Sequence, residues 1–211
     1  MRKYIRARVN FISAEPEDIR LEVAQDPTTA ADTLLDLVGD GEDDIRYAVA
    51  RNPNATAEIL QMLSTDEERD IAYAVAQHPN TTVQTLSSLS KHSDEYVRRA
   101  VAKNPNTPAE VLDTLTGDYD MNVRLLVALN PNATQEVLNK LWNDISLSVR
   151  FALAKGENTP EDILTSLSAD QHWMTRLYVA ENPNTPLDAI NALASDENGV
   201  VRSAASRRLR R

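Results

Sequence analysis

The chain has 211 residues, 42% of them hydrophobic, 26% charged and 5% aromatic, so it can bury a core and is not disordered by composition. It contains no cysteine, which excludes disulfides, thiolate metal sites, iron–sulfur clusters and cysteine nucleophiles within these residues. The net charge of −10 is uneven: residues 1–8 hold four basic and no acidic residues, residues 202–211 hold five Arg and no acid, and the body between them carries −19, which repels a phosphate backbone.

The first segment, residues 1–22, opens on the basic run Met1-Arg2-Lys3-Tyr4-Ile5-Arg6, and no apolar signal core follows it. No apolar run approaches the roughly 18–20 residues needed to span a bilayer. A cytoplasmic protein without a membrane span is expected. Within this segment, Ile19 and Arg20 stand in register with Ile45 and Arg46, so residues 14–22 read as a capping half-repeat.

From Val23 to Ala204 the chain repeats every 26 residues without insertion, seven times. One column reads Val23, Val49, Val75, Val101, Val127, Leu153 and Val179, and the next is alanine throughout, from Ala24 to Ala180. Pro27, Pro53, Pro79, Pro105, Pro131 and Pro183 form a third, interrupted by Glu157, and Leu37, Leu63, Leu89, Leu115, Leu141, Leu167 and Leu193 a fourth. Each unit predicts two short helices. In the fourth, Val97, Ala100 and Val101 make one apolar helical face, which Asn104-Pro105 ends, because proline disfavours helical backbone in the residue before it. Thr107-Pro108-Ala109-Glu110 then reads as an N-cap and capping box opening a second helix that buries Val111, Leu112 and Leu115. Helices this short are unstable alone and must stack. Residues 205–211 begin a truncated, polar eighth unit with an Arg-rich tail.

The pattern Val-Arg-x-x-Val-Ala-x-Asn-Pro-Asn-Thr-Pro-x-x-x-Leu-x-x-Leu at residues 97–115 resembles the leucine-rich repeat variant family, and is similar to HEAT-like repeats. The resemblance covers about nine tenths of the chain. It implies an all-α, right-handed α-solenoid superhelix of seven two-helix repeats with terminal caps, in which one helix of each pair can be of 3₁₀ type. Some family members carry a Cys-rich iron–sulfur segment ahead of the repeats; with no cysteine here, no cofactor carries over. The resemblance implies an interaction scaffold with a protein partner and brings no common ligand or activity.

Several columns carry chemistry. Arg20, Arg46, Arg98, Arg124, Arg150, Arg176 and Arg202 form one, broken by Ala72, and Asp40, Asp66, Asp118, Asp144, Asp170 and Asp196 another, broken by His92; Asp40 stands six residues before Arg46 and Asp118 six before Arg124. They are expected to form a structural ladder of charge-assisted hydrogen bonds between repeats. The acidic column Asp32, Glu58, Glu110, Glu136, Asp162 and Asp188 suits helix N-termini. Asn54, Asn80, Asn106, Asn132, Asn158 and Asn184 suit turns. Gly156-Glu157, where other units have Asn-Pro, is expected to soften the sixth repeat.

Against this regularity, Met121, Leu147 and Trp173 fill a column that is charged in the first half of the chain (Asp43, Arg69, Glu95). Trp142 stands where other repeats have Ser, Thr, Ala or Val, and Leu129 where they have Gln, Lys, Arg or Glu. These five form the candidate protein-binding patch. The tail residues Arg202, Arg207, Arg208, Arg210 and Arg211 form a candidate anion-binding site, the alternative being nucleic-acid or anionic-surface attachment. Enzyme function is not expected. His78, His92 and His172 never pair at metal-ligand spacing, and no glycine-rich phosphate loop exists. A HEAT-like DNA glycosylase using Asp170 beside Trp142 and Trp173 is a remote alternative that lacks the required basic groove.

Overall fold

The computed structural model describes residues 12–210. Among them the regular structure is wholly helical, with one 3₁₀ turn at Ile12–Ala14 and no strand. Eight first helices alternate with seven second helices. The first helices are α1 (Glu17–Gln25), α3 (Asp43–Arg51), α5 (Arg69–Gln77), α7 (Glu95–Lys103), α9 (Met121–Leu129), α11 (Leu147–Lys155), α13 (Trp173–Glu181) and α15 (Gly199–Leu209). The second helices are α2 (Ala31–Asp36), α4 (Ala57–Leu63), α6 (Val83–Leu89), α8 (Ala109–Leu115), α10 (Gln135–Leu138), α12 (Glu161–Leu167) and α14 (Leu187–Leu193). Two compact units result, residues 1–107 and 108–211. In the first, α1, α3, α5 and α7 pack successively on one another; in the second, α9, α11, α13 and α15 do. The first of the first helices is Glu17–Gln25 and the last is Gly199–Leu209.

The apolar columns explain the stacking. Val49, Val75, Val101, Val127, Leu153 and Val179 are fully buried, as are Ala50, Ala76, Ala102, Ala154 and Ala180, whose small side chains let neighbouring helices approach. The leucine column ends or follows each second helix and is buried from Leu37 to Leu193. Second helices are short α-helices, not 3₁₀. Each first helix except the last ends on an extended residue, Asn104 at ψ 126° for example, as the following proline demands. Gly156, which precedes Glu157, keeps the same conformation at ψ 125°, so the turn survives the missing proline.

Threonine plays two parts where one was expected. Thr56, Thr82 and Thr134 cap second helices by accepting the N–H three residues on. Thr107 does not cap α8: its hydroxyl donates to the Val101 carbonyl at 2.6 Å, and Pro108 holds the N-cap position without a side-chain bond. Thr29, Thr81, Thr159 and Thr185 repeat that backward bond, pinning each turn to the first helix it follows. Glu110 consequently stands at the second helical position, near the N-terminal dipole, and forms no box with Thr107.

Candidate functional site

Two polar ladders set the geometry on which any surface site depends. In the first, Arg20, Arg46, Arg124, Arg150 and Arg176, each on a first helix, reach the aspartate twenty residues ahead. Arg46 Nε donates to Asp66 Oδ2 at 2.7 Å and Nη2 to Oδ1 at 3.2 Å, while Nη1 donates to the Asp40 carbonyl at 2.8 Å. The same forks join Arg20 to Asp40, Arg124 to Asp144, Arg150 to Asp170 and Arg176 to Asp196. The expected pairing with the aspartate six residues back is therefore corrected: that residue contributes its backbone carbonyl, and the carboxylate partner lies twenty residues forward. Arg98 Nη1 donates to the carbonyls of His92 and Ser93, where histidine interrupts the aspartate column. Burial alone would raise the carboxyls of Asp66, Asp144 and Asp170, but the guanidinium and a backbone N–H two residues on outweigh it and hold them below the usual range. In Asp196 the Arg176 bond is the larger influence, in the same direction. Asp118 accepts the N–H of Asp120 in the same way.

The second ladder was only half visible in the sequence. Asn54 Nδ2 donates to the carbonyls of Pro27 and Thr29, and Asn106 Nδ2 to that of Pro79, all in the preceding repeat. The buried residues two positions earlier do as much: Asn52 donates to Ala24 and Asp26, Asn104 to Ala76 and His78, Asn182 to Ala154 and Gly156. His78 takes one place in this column, bonding the Asn52 carbonyl through Nε2 at 3.0 Å and accepting the Asn80 N–H at Nδ1. Gly156 has no side-chain amide to contribute.

The arginine tail divides. Arg208 stands 26 residues after Asn182, and its guanidinium donates to the carbonyls of Asn182, Pro183 and Thr185. Those are the groups that two asparagines of a following repeat satisfy elsewhere. Arg208 is thus a closing member of the asparagine ladder, its guanidinium engaged with carbonyls of the chain itself. Arg202 Nη1 donates to the carbonyls of Asp196 and Glu197, while Arg207 and Arg210 line an open hollow with Ser203 and Ser206. Arg211 and the basic residues of the first eleven lie outside the described residues.

Exposed apolar side chains gather in the second unit, at the N-terminal ends of its first helices. Met121, Leu147 and Trp173 are the opening residues of α9, α11 and α13, successive helices in packing contact. Trp142 lies in the loop that leads into Leu147, and Ser146 Oγ contacts Met121 Sδ at 3.7 Å, joining two of these loops. All four are between 36 and 48% exposed. Leu129 is exposed but closes α9, eight residues and about 12 Å of helix away from Met121, so it does not belong to this edge. Two members of the edge were missed by sequence reasoning. Tyr119 is fully exposed (102%) and Ile145 nearly so (92%), each two residues before its helix. Their column otherwise reads Gly41, Glu67, Ser93, Gln171 and Glu197, and two large apolar residues among these were the available signal. Behind the edge, Phe151 packs on His172 and, edge-on, on Tyr178, and His172 stacks on Trp173.

The ladder holds this edge in place. Arg124 Nη1 donates to the Asp118 carbonyl at 2.7 Å and to that of Tyr119 at 3.3 Å; Arg150 Nη1 does the same to Asp144 at 2.6 Å and Ile145 at 3.4 Å. Asp170, which a glycosylase reading needs as an acid beside tryptophans, is committed to Arg150. Among the described residues no helix is long and apolar enough to cross a membrane.

Stacked helix pairs joined by two inter-repeat hydrogen-bond ladders define the molecule as a helical repeat solenoid protein. A model described as leucine rich repeat variant domain matches residues 18–78, and one described as leucine rich repeat variant matches residues 97–120. A solved structure described as a leucine-rich repeat variant with a novel repetitive protein structural motif superposes with a TM-score of 0.72 at 25% identity, covering 97% of this chain and 82% of that one. A designed armadillo repeat protein aligns over 96% of this chain and 98% of its own, at 13% identity and a TM-score of 0.26. No curated protein matches. The chain thus carries leucine-rich repeat variant repeats at residues 18–78 and 97–120 and shares the helical repeat fold of that solved structure.

Proposed function

We propose that the chain is a non-catalytic, cytoplasmic protein-binding scaffold whose docking surface is the loop edge formed by Tyr119, Met121, Trp142, Ile145, Leu147 and Trp173. One observation carries the reading: large apolar side chains replace polar ones at this edge, and remain exposed on loops fixed by the Arg ladder. Clustered apolar surface of this kind marks interaction sites, and aromatic anchors held rigidly before contact lose little entropy on binding. The test is site-specific photo-crosslinking. A crosslinking residue at position 145 is expected to capture a defined protein, and the same residue at position 93, where the first unit has Ser93, is not. Equal capture at both positions, or none at 145, would reject this docking surface.

A further inference from the structure

The exposed edge has an electrostatic setting that restricts what can cover it. Residues 108–201 hold fourteen acids and five basic residues, a net charge of −9. Three of the five bases, Arg124, Arg150 and Arg176, are matched by Asp144, Asp170 and Asp196. A fourth, Lys140, pairs with Asp113 at 2.5 Å, and the fifth, Lys155, lies over the Tyr178 ring at 3.9 Å, at the far end of its helix. The loops themselves, residues 116–121, 142–147, 168–173 and 194–199, contain no Lys or Arg, and Glu197 in the last of them remains strongly exposed although Arg176 reaches it at 3.1 Å. Arg202, which bonds the Asp196 and Glu197 carbonyls, is the one base beside the last loop, and the anchors otherwise stand on a body of net negative charge. A second copy of this chain would bring the same negative field to the contact, and an anionic lipid surface or a nucleic acid would be repelled as well.

We infer that the edge takes a cationic amphipathic segment of a partner protein, with apolar residues seated between Trp142, Ile145 and Trp173 and Lys or Arg residues facing the surrounding carboxylates. This rests on the docking surface proposed above and adds the chemistry of its occupant. The size suits a helix. Three first helices spaced about 9 Å apart present an edge that about four turns of helix would cross. Opposite charge would raise the rate of encounter, and the apolar anchors would govern residence.

Both tryptophans of the chain belong to the edge, so intrinsic fluorescence reads the site directly. The probes are a synthetic helical peptide of roughly eighteen residues made of Leu and Lys with one apolar face, and its counterpart with Glu in place of every Lys. The Leu/Lys peptide is expected to shift the emission to the blue and to bind at least about tenfold more tightly than the Leu/Glu peptide, with affinity falling as salt is raised. Tyr119→Ser with Ile145→Ser keeps both tryptophans and alters only side chains that make no buried contact, so the fold is retained. It is expected to weaken the Leu/Lys peptide about tenfold. Equal binding of the two peptides, unchanged binding by the double variant, or self-association or capture of anionic vesicles through this edge would overturn the inference. If crosslinking at position 145 finds a partner while the Leu/Lys peptide fails to bind, the docking surface stands and the cationic occupant is wrong. If position 145 captures nothing, the surface itself fails.

Discussion

Replacing Arg150 by Leu should expose how much a ladder rung contributes. Arg150 makes a fork to Asp170 at 2.6 and 3.4 Å and a third bond of 2.6 Å to the Asp144 carbonyl. The side chains are 14% and 7% exposed, so the pair belongs neither with open surface pairs, which contribute ~0–1 kcal/mol, nor with fully enclosed ones, whose disruption costs ~3–5 kcal/mol. After the substitution Asp170 keeps the His172 N–H at 2.8 Å, and the two loop carbonyls become accessible to water. A loss of about 2 kcal/mol follows, intermediate between those limits. Adding Asp170→Asn, which still accepts from His172 but bears no charge, should recover about half of it. Urea unfolding followed by tryptophan fluorescence reads the correct unit, because Trp142 and Trp173 both lie within residues 108–211. Since the pair is shielded, 1 M salt, with a Debye length of about 3 Å, should not remove the difference. A loss below about 0.5 kcal/mol, or one abolished by salt, would refute the assignment of these arginines as structural rungs.

Other rungs make separate predictions. Arg208→Ala leaves three carbonyls without their donor and should destabilise the last helix by about 1–3 kcal/mol, seen as faster amide exchange in α15, while the exposed Arg207→Ala should leave that exchange unchanged. Asn104→Ala removes a buried amide that bonds Ala76 and His78 and should cost about 1–3 kcal/mol in chemical unfolding. For His78, burial lowers the imidazole's affinity for a proton, and its bond to Asn52 opposes this only in part. Protonation would also turn Nδ1 into a donor facing the Asn80 N–H. The folded chain therefore favours the neutral ring, and the unfolded ring titrates near ~6.5. The stability His78 contributes is complete above about pH 6.5 and is lost as the pH falls toward the lower folded value. Melting temperatures measured between pH 5 and 7 should show this slope, and His78→Asn should flatten it. Ladder carboxylates do not confuse the window, because they titrate below the ordinary Asp range of about 4.

The repeat and its two-helix reading were legible because the apolar columns recur with a fixed period, and burial followed them residue by residue. Partner assignment was harder for a reason internal to periodic sequences. An aspartate six residues before Arg46 and one twenty residues after it belong to the same 26-residue column, so spacing alone does not distinguish a bond within a loop from a bond across repeats. Thr107 was misplaced by one position because threonine occupies both the backward-bonding column and, in three other repeats, the capping column beside it. Arg208 is chemically indistinguishable from Arg207 in sequence, and only its register with Asn182 reveals its task. Met121, Trp142, Leu147, Trp173 and Leu129 stood out by departure from their columns, and of these Leu129 lies at the opposite end of its helix. Tyr119 and Ile145 escaped because their column has no consensus to depart from.

That lack of consensus has a physical cause. The ladder arginine holds each loop through backbone carbonyls, those of Asp118 and Tyr119 for Arg124 and of Asp144 and Ile145 for Arg150. A carbonyl is present whatever side chain the residue carries. The fold therefore constrains the aspartate, whose carboxylate pairs with an arginine, and leaves the next residue open to Gly, Glu, Ser, Tyr, Ile or Gln. Positions of this kind combine a rigid backbone with an unconstrained side chain, which is what a recognition surface requires. In this chain the liberty is used for Tyr119 and Ile145 in adjacent loops, beside Met121, Leu147 and the two tryptophans. The same arginines that stabilise the stack thereby hold ready the surface that it presents.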